Sequence, residues 1–198
     1  DISPPEVGSV VDGTEFTAST TTLSASWSGF SDASSGIQFY EYAAGTTSGG
    51  TDVVDWTDNS TDTSMNITSL SLTGGSTYYV SVRATDLVEN ISDVVSSDGV
   101  TVDILGPESG TVLDGTGADI DWTNSDTTLG ASWLGFSDAL SGIQYFEYAV
   151  GTAIDSFALG AWQSAGIDMF VIESDLTLIS GETYYVFVKA TDQVNNTG

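Results

Sequence analysis

An internal repeat constrains the fold of this chain more than any other feature of its sequence. Residues 22–46 match residues 128–152 at 19 of 25 positions with a constant offset of 106. The same offset relates a series of further pairs: Trp56 and Trp162, Leu70 and Leu176, Tyr78 and Tyr184, Asp86 and Asp192. Self-similarity at this period indicates two copies of one folding module. The repeat therefore predicts two domains, residues 1–102 and residues 103–198.

Within each copy the side chains alternate with a period of two, which is typical of β-strands and not of helices. Residues 78–84 place Tyr78, Val80, Val82 and Ala84 on one face and Tyr79, Ser81 and Arg83 on the other. The strand around residues 39–44 alternates in the same way. Turn residues bound five further strand candidates, at residues 8–11, 23–27, 53–56, 64–68 and 94–102. Seven strands and no helix predict an all-β sandwich.

At these residues the sequence resembles a fibronectin type III module. The resemblance rests on Trp27 and Trp133 in the second strand, the run Tyr-x-Val-x-Val-x-Ala, and a leucine several residues before that tyrosine. It implies two antiparallel sheets of the immunoglobulin-like type, with Tyr78 and Tyr184 bonded back to the preceding loops. The run Trp-x-Gly-Phe-x-Asp-x-x-Ser-Gly-Ile also resembles repeats of large secreted bacterial surface proteins.

The second copy is expected to lack its last strand. The counterpart of residues 94–102 would lie beyond Gly198. The fold expected is thus two tandem seven-stranded immunoglobulin-like (fibronectin type III) β-sandwiches, the second of them truncated. We expect the chain to be a fragment of a longer array.

The charge of the chain limits its partners. Twenty-eight acidic residues stand against two basic ones, for a net charge of −26. Phosphate binding requires clustered Lys and Arg, so nucleic acid is not an expected partner, and an anionic membrane surface is excluded on the same ground. Apolar runs are too short for a membrane-spanning helix. The acidity favours an extracellular or cell-surface location rich in salt or calcium, or else serves solubility alone.

The residue types also limit the chemistry. The chain has no cysteine and no histidine. Ser-His-Asp and Cys-His nucleophile systems and thiolate zinc sites are therefore excluded. Paired carboxylates are the one familiar acid–base option that remains, and no pattern predicts a cleft for them. We predict that the chain is not an enzyme.

Calcium is the one cofactor that the sequence suggests. In a fibronectin type III module the loops after the second and sixth strands lie at the same pole as the incoming chain. Two sets of carboxylates would meet there: Asp1, Glu6, Asp32 and Asp86 in the first copy, and Asp103, Glu108, Asp138 and Asp192 in the second. Calcium takes six to eight hard oxygen ligands. The alternative is that these aspartates simply open turns.

Each basic residue is expected on the outward face of its sheet. Arg83 and Lys189 occupy equivalent positions, and their expected partners across the neighbouring strand are Glu41 and Glu147. The same face is predicted to carry a set of aromatic residues: Phe39, Tyr79, Tyr145, Tyr185 and Phe187. Aromatic rings on a sheet stack on sugars, pack against neighbouring modules, or stabilise cross-strand contacts.

Three functions are consistent with this pattern. The first is a structural and adhesive module of a stalk, filament or surface layer, stiffened by calcium, whose partners are neighbouring modules or other copies of the chain. The second is an accessory module that holds a secreted enzyme on its polysaccharide and binds glycans through the aromatic face. The third, a catalytic domain with two carboxylates, has the least support.

Overall fold

The computed structural model describes residues 1–152 and 161–198. The chain divides into two compact units, Asp1–Ile104 and Leu105–Gly198. The division falls two residues after the boundary that the repeat predicts. All the secondary-structure elements of the described residues are β-strands, which confirms the all-β class.

The first unit contains nine strands arranged in two sheets. They are β1 (Ser9–Val11), β2 (Phe16–Thr17), β3 (Leu23–Ser28), β4 (Ile37–Gly45), β5 (Val54–Asp58), β6 (Ser64–Ile67), β7 (Thr77–Asp86), β8 (Val95–Ser96) and β9 (Val100–Val102). One sheet has the order β1-β3-β6. The other has the order β2-β9-β7-β4-β5, with β8 also paired to β7. Two sheets with this strand exchange form an immunoglobulin-like sandwich.

Two predicted strands differ from the observed ones. The first strand is followed by β2, which pairs in parallel with β9 and so joins the opposite sheet. The run predicted at residues 94–102 is broken into β8 and β9. Gly99 lies between them at φ +98°, a conformation that L side chains rarely adopt. Ser97 is buried at the same break, and its hydroxyl accepts a hydrogen bond from the Val80 amide at 3.0 Å.

The core of the first unit lies between the two sheets. The inward residues of β7 are as predicted, since Val80, Val82 and Ala84 are all fully buried. Trp27 of β3 packs edge-on against Tyr40 of β4, with ring centroids 5.8 Å apart. These side chains form one cluster with Phe30 and Met65. Burial of this apolar surface is the main force that holds the sheets together.

Ser81 points away from this core and is nevertheless fully buried. Its hydroxyl lies 2.8 Å from the hydroxyl of Ser96 in β8, and it accepts a hydrogen bond from the Gly49 amide at 3.1 Å. Alternation along β7 predicts that Ser81 faces away from the core. It does not predict that Ser81 is buried, because the loop at Gly49 and β8, which cover it, come from other parts of the sequence.

The tyrosine bond that the resemblance implies is present in both units. The Tyr78 hydroxyl accepts a hydrogen bond from the Thr73 amide at 2.9 Å, and the Tyr184 hydroxyl accepts one from the Ile179 amide at 2.8 Å. In each unit the bond fixes the loop that lies just before the tyrosine. This prediction is confirmed.

The second unit repeats the sandwich with fewer strands. The described residues contain β10 (Thr111–Asp114), β11 (Leu129–Leu134), β12 (Ile143–Gly151), β13 (Gln163–Gly166), β14 (Phe170–Glu173) and β15 (Tyr185–Asp192). Its two sheets have the orders β10-β11-β14 and β13-β12-β15. Trp133, Phe146 and Ala190 form its buried cluster. In the described part of this unit no strand corresponds to β9.

A search of the described residues for a helix long and apolar enough to cross a membrane finds none.

Candidate metal site

Three carboxylates come together at one pole of the first unit. Asp1 precedes the sandwich, Asp32 follows β3, and Asp86 ends β7. One carboxylate oxygen from each lies within 4.8 Å of the others. Three separate segments of the chain therefore place carboxylates close together at this pole.

Asp32 is held in place by a tight turn. Its Oδ1 accepts hydrogen bonds from the amides of Ser34, Ser35 and Gly36 at 3.1, 2.6 and 2.9 Å. The hydrogen bonds from Gly36 and Ser35 lower the pKa of Asp32 below its ordinary value. These donors all reach one oxygen, which leaves Oδ2 for a cation. The predicted turn function of this aspartate is confirmed.

Asp86 is fully buried and is held by its own loop. Its Oδ1 accepts hydrogen bonds from the amides of Val88 and Asn90 at 2.9 and 2.8 Å, and its Oδ2 accepts one from Asn90 Nδ2 at 2.8 Å. Burial by itself would raise the pKa of Asp86, but the bonds from Asn90 and Val88 outweigh it and hold the pKa below its ordinary value. The group is therefore a carboxylate at neutral pH.

Asp1 and Glu6 differ in their relation to this cluster. Asp1 is exposed, and its Oδ2 accepts a hydrogen bond from the Ser35 hydroxyl at 2.9 Å. Glu6 pairs with Ser31 through the backbone, with N–O distances of 2.7 and 3.2 Å. The Glu6 side chain is exposed and is not one of the three clustered carboxylates. Glu6 therefore lies at the same pole as Asp32, but its carboxylate does not join the cluster.

The second unit repeats both turns. Asp138 Oδ1 accepts from the amides of Leu140 and Gly142 at 3.2 and 2.7 Å. Asp192 is fully buried and accepts from the Val194 amide at 2.9 Å and from the amide and side chain of Asn196, both at 2.8 Å.

The other two carboxylates predicted for this set lie in different units. Asp103 is buried near the end of the first unit. Glu108 lies in the second unit, where its side chain is exposed and its backbone pairs with Ser137. That Asp103 and Glu108 bind a metal stays a prediction.

The donor set of the first unit fits a hard cation. Asp1, Asp32 and Asp86 supply carboxylate oxygens, and the chain has no thiol or imidazole that would favour zinc. Calcium tolerates irregular sites and completes its shell with backbone carbonyls and water. The hydrogen bonds that keep Asp32 and Asp86 ionised also keep them ready as ligands, because metal binding requires the deprotonated form.

The predicted ion pairs are present on the outward face of each sheet. Arg83 Nε lies 2.7 Å from Glu41 Oε2, and Lys189 Nζ lies 2.9 Å from Glu147 Oε2. This prediction is confirmed.

Each cation is also covered by a tryptophan, which the sequence analysis did not foresee. The Arg83 guanidinium lies 4.3 Å from the centroid of the Trp56 ring, and Lys189 Nζ lies 4.6 Å from that of Trp162. The equal spacing of Trp56 and Trp162 was visible in the repeat, but the side of the strand that each would occupy was not. We call each group of tryptophan, cation and glutamate a cation stack.

A double-mutant cycle should detect the first cation stack. Trp56→Ala and Arg83→Gln, singly and together, should show a coupling of about 0.5–1 kcal/mol in the free energy of unfolding, as expected of a cation–π contact near the surface. Urea unfolding followed by circular dichroism measures it. Trp162→Ala with Lys189→Gln provides the matched cycle in the second unit. Coupling below the error of the cycle in both units would contradict the stack.

The predicted aromatic face does not form one continuous surface in the first unit. Phe39 lies opposite Thr85 in the β4–β7 register, whereas Tyr79 lies opposite Gly45. These positions are six residues apart along β4, or about 20 Å. The first cation stack lies between them.

In the second unit two of the predicted rings are neighbours. Tyr185 and Phe187 have centroids 6.4 Å apart, whereas Tyr145 lies near the other end of β12, opposite Thr191. Tyr185 is exposed and Phe187 is half-buried. Whether these rings bind a ligand stays a prediction.

Comparison with known proteins finds likeness in structure alone. No protein-family model and no curated protein matches the sequence. Domains from titin match with a TM-score of 0.55 at 11% identity, over 98% of this chain and 64% of that chain. The FN1–FN3 domains of chicken CNTN1 match with a TM-score of 0.41 at 15% identity, over 98% of this chain and 67% of that chain. Fibronectin(III)-like modules of Clostridium thermocellum CbhA match with a TM-score of 0.43 at 16% identity, over 97% of this chain and 89% of that chain.

At these identities the likeness bears on the fold and not on the function. The chain also spans less than two thirds of the titin segment that it matches. The sheet order and the tyrosine bonds point the same way as the titin match. Each unit therefore has an immunoglobulin-like β-sandwich fold of the fibronectin type III kind.

Proposed function

We propose that the chain is a non-catalytic structural module pair from an extracellular array, such as a stalk, filament or surface layer with an adhesive role. The proposal rests on the features that the two units share. The repeated features are the cation stacks, the tyrosine bonds and the aspartate turns, and each of them holds the sandwich together. An array needs such features in every module, whereas a binding or catalytic site is needed only once.

The array is proposed to be stiffened by calcium. In the first unit a cation bound by Asp1, Asp32 and Asp86 would join the incoming chain, the β3–β4 loop and the loop after β7. Hydrogen bonds already link these segments, since the Leu87 amide donates to the Gly36 carbonyl at 3.2 Å and Asn90 Nδ2 donates to the Ser3 carbonyl at 3.3 Å. The chain has no cysteine that could add a disulfide. A metal that binds only the folded form also adds its binding free energy to the stability of the fold.

Calcium should raise the thermal midpoint of the first unit. Extracellular calcium modules have dissociation constants of roughly 0.1–1 mM. At about 10 mM calcium the gain is then roughly 1.4–2.7 kcal/mol by mass action. This corresponds to a rise of roughly 5–20 °C for a domain of this size. Calorimetry of the full chain, with magnesium at the same concentration as the reference, measures it.

Two variants make this test specific. Asp32→Asn removes one ligand charge and should abolish the calcium-dependent rise. Asp52→Asn is the matched control, because Asp52 also closes a turn, bonding Thr46 at 3.0 and 2.8 Å, but lies outside the cluster. A rise in the thermal midpoint that is equal in both variants, or equal with magnesium, would show that the clustered aspartates only stabilise turns.

The glycan-binding alternative has its own readout. Binding of the full chain to a glycan panel, lost in a Phe39→Ala/Tyr79→Ala or a Tyr185→Ala/Phe187→Ala variant, would favour an accessory carbohydrate-binding module over the structural proposal. The separation of Phe39 from Tyr79 gives little support to a single sugar platform in the first unit.

A further inference from the structure

The sheet β10-β11-β14 of the second unit turns apolar side chains outward. Its middle strand, β11, buries Ala131 and Trp133 in the core, so Ser132 and Leu134 point to the opposite side. The strand register places residues of the two neighbouring strands beside them. The large residues on this side are Leu113 in β10, Leu134 in β11, and Phe170 and Ile172 in β14. We call the outward residues of these three strands the apolar face.

The apolar face is open to solvent. Leu134, Phe170 and Ile172 are 53%, 52% and 62% exposed. The turn that leads into β14 adds Ile167 and Met169, which are 79% and 58% exposed. An exposed apolar patch on a folded domain marks a surface that contacts another molecule.

The fold does not require these apolar residues. In the first unit β1, β3 and β6 form the equivalent sheet. There the counterparts of Leu134, Phe170 and Ile172 are polar and exposed: Ser28, Ser64 and Asn66. Because the first unit forms its sheet with a polar face, the apolar residues of the second unit are not needed for the sheet and point to a contact.

The position of β14 adds to this argument. Among the described residues β14 is the outermost strand of its sheet. It contains no lysine, arginine or proline, the residues that commonly keep an edge strand from associating. An apolar edge of this kind associates unless a specific partner covers it.

Charge indicates what covers the apolar face. The chain has a net charge of −26, but the outward residues of the three strands are all uncharged. Asp114 lies opposite the buried Ala131, and Glu173 is turned to the core side, where it accepts a hydrogen bond from Tyr148 at 2.5 Å. Asp168 lies in the adjoining turn. Two copies can therefore meet through this face without setting like charges opposite each other, whereas a cationic partner would be attracted to the acidic surface elsewhere.

The polar groups of the face do not select a different ligand. The Ser132 hydroxyl donates to the Gly115 carbonyl at 2.9 Å, so its burial leaves no donor unpaired. Thr111 lies beside Leu134 at the end of β10. The remaining contact is apolar and non-directional, and a second copy of the same face supplies it through a two-fold axis.

The size of the face is enough for a weak dimer. Five apolar side chains that are each more than half exposed present roughly 500 Å² per copy. A two-fold contact would bury roughly 1,000 Å² in total, which is the lower limit for a specific interface. We therefore expect association at high protein concentration.

We propose that the apolar face binds the apolar face of a second copy of this chain around a two-fold axis, with the two sheets packed face to face. The site belongs to the second unit alone, because the first unit has polar residues at the equivalent positions. The inference goes beyond the proposed role in an array, since the dimer requires neither the array nor calcium.

Sedimentation equilibrium of the full chain tests the proposal. Concentrations run from about 5 to about 500 μM, in about 0.5 M salt to screen the acidic surface and in EDTA to remove divalent cations. The fraction of dimer should rise with concentration. Phe170→Ser/Ile172→Asn gives the second unit the residues of the first and should raise the dissociation constant of the dimer at least about tenfold.

Leu87→Gln/Ile91→Thr is the matched control. These two residues of the first unit are also exposed apolar residues, at 62% and 49%, and are likewise exchanged for their counterparts in the other unit. They lie outside the apolar face, so the dissociation constant should not change.

A thiol placed on the face reports the contact directly. Because the chain has no cysteine, Leu134→Cys introduces a single thiol, and Ser28→Cys introduces one at the equivalent position of the first unit. Alkylation of the thiol in Leu134→Cys should slow at least about threefold once most of the chain is dimeric, by mass action. The rate in Ser28→Cys should not depend on protein concentration.

Four outcomes would overturn the proposal. The first is a chain that stays monomeric over the whole range, and the second is an equal effect of Phe170→Ser/Ile172→Asn and of the matched control. The third is a dimer that does not slow alkylation in Leu134→Cys, which would place the contact on another surface. The fourth is protection of that thiol in the monomer, which would assign the face to another segment of the same chain.

Discussion

Replacing Trp27 with alanine should lower the free energy of unfolding of the first unit by about 3–5 kcal/mol, the usual cost of removing a buried tryptophan. Trp27 is 4% exposed, lies at the centre of the main cluster and packs edge-on against Tyr40. Its loss would leave a cavity between two sheets that cannot close without moving β3 or β4. Hydrogen exchange of the full chain, followed peptide by peptide, measures each unit separately.

Trp27→Phe is the control for this experiment. The Trp27 indole N–H is buried and finds no acceptor within the described residues, so phenylalanine removes volume but also an unsatisfied donor. We expect it to cost less than half as much as alanine. Trp133→Ala should destabilise the second unit and leave the first unchanged. A loss spread equally over both units after Trp27→Ala would contradict the division of the chain into two cores.

Replacing Tyr78 with phenylalanine should cost about 1–3 kcal/mol, because the Thr73 amide then loses its acceptor in a region largely closed to water. Tyr184→Phe makes the same chemical change in the second unit. There the bond to the Ile179 amide is exposed and water can replace the lost hydroxyl, so the cost should be at most about 1 kcal/mol.

Exchange of the Thr73 and Ile179 amides reports each bond directly. The pair of variants also has an internal control, since the two tyrosines lie at equivalent positions of the repeat and make bonds of equal length. Equal costs in the two units would contradict the interpretation that the bond of Tyr184 is more open to water than the bond of Tyr78.

Most of the fold could be predicted because it depends on local patterns. Alternation along residues 78–84 sets the inward face of β7, and a repeat of 19 matched positions fixes two copies of one module. The pairing of Arg83 with Glu41 also followed, because the strand order of the fold places those strands side by side. The resemblance supplied that order.

What was missed depends on contacts between distant segments. The outward face of Trp56 depends on the register of an edge strand, which its own residues do not define. Ser81 is buried by a loop more than thirty residues away. Glu6 lies at the predicted pole, but the direction of an exposed side chain is set by neither period nor spacing. Of the three carboxylates that meet, Asp32 and Asp86 are held by their own turns, whereas Asp1 accepts a hydrogen bond from the Ser35 hydroxyl.

The cation stacks have a consequence for proteolysis. Trypsin-like proteases cut after arginine and lysine, and this chain has only Arg83 and Lys189. Arg83 lies in β7 and Lys189 in β15, and each is paired to a glutamate and covered by a tryptophan. A protease can bind such a strand only after the strand has separated from its neighbours in the sheet. Cleavage after Arg83 therefore requires the first unit to open, and cleavage after Lys189 requires the second. The rates of the two cleavages would therefore report the unfolding of the two sandwiches separately.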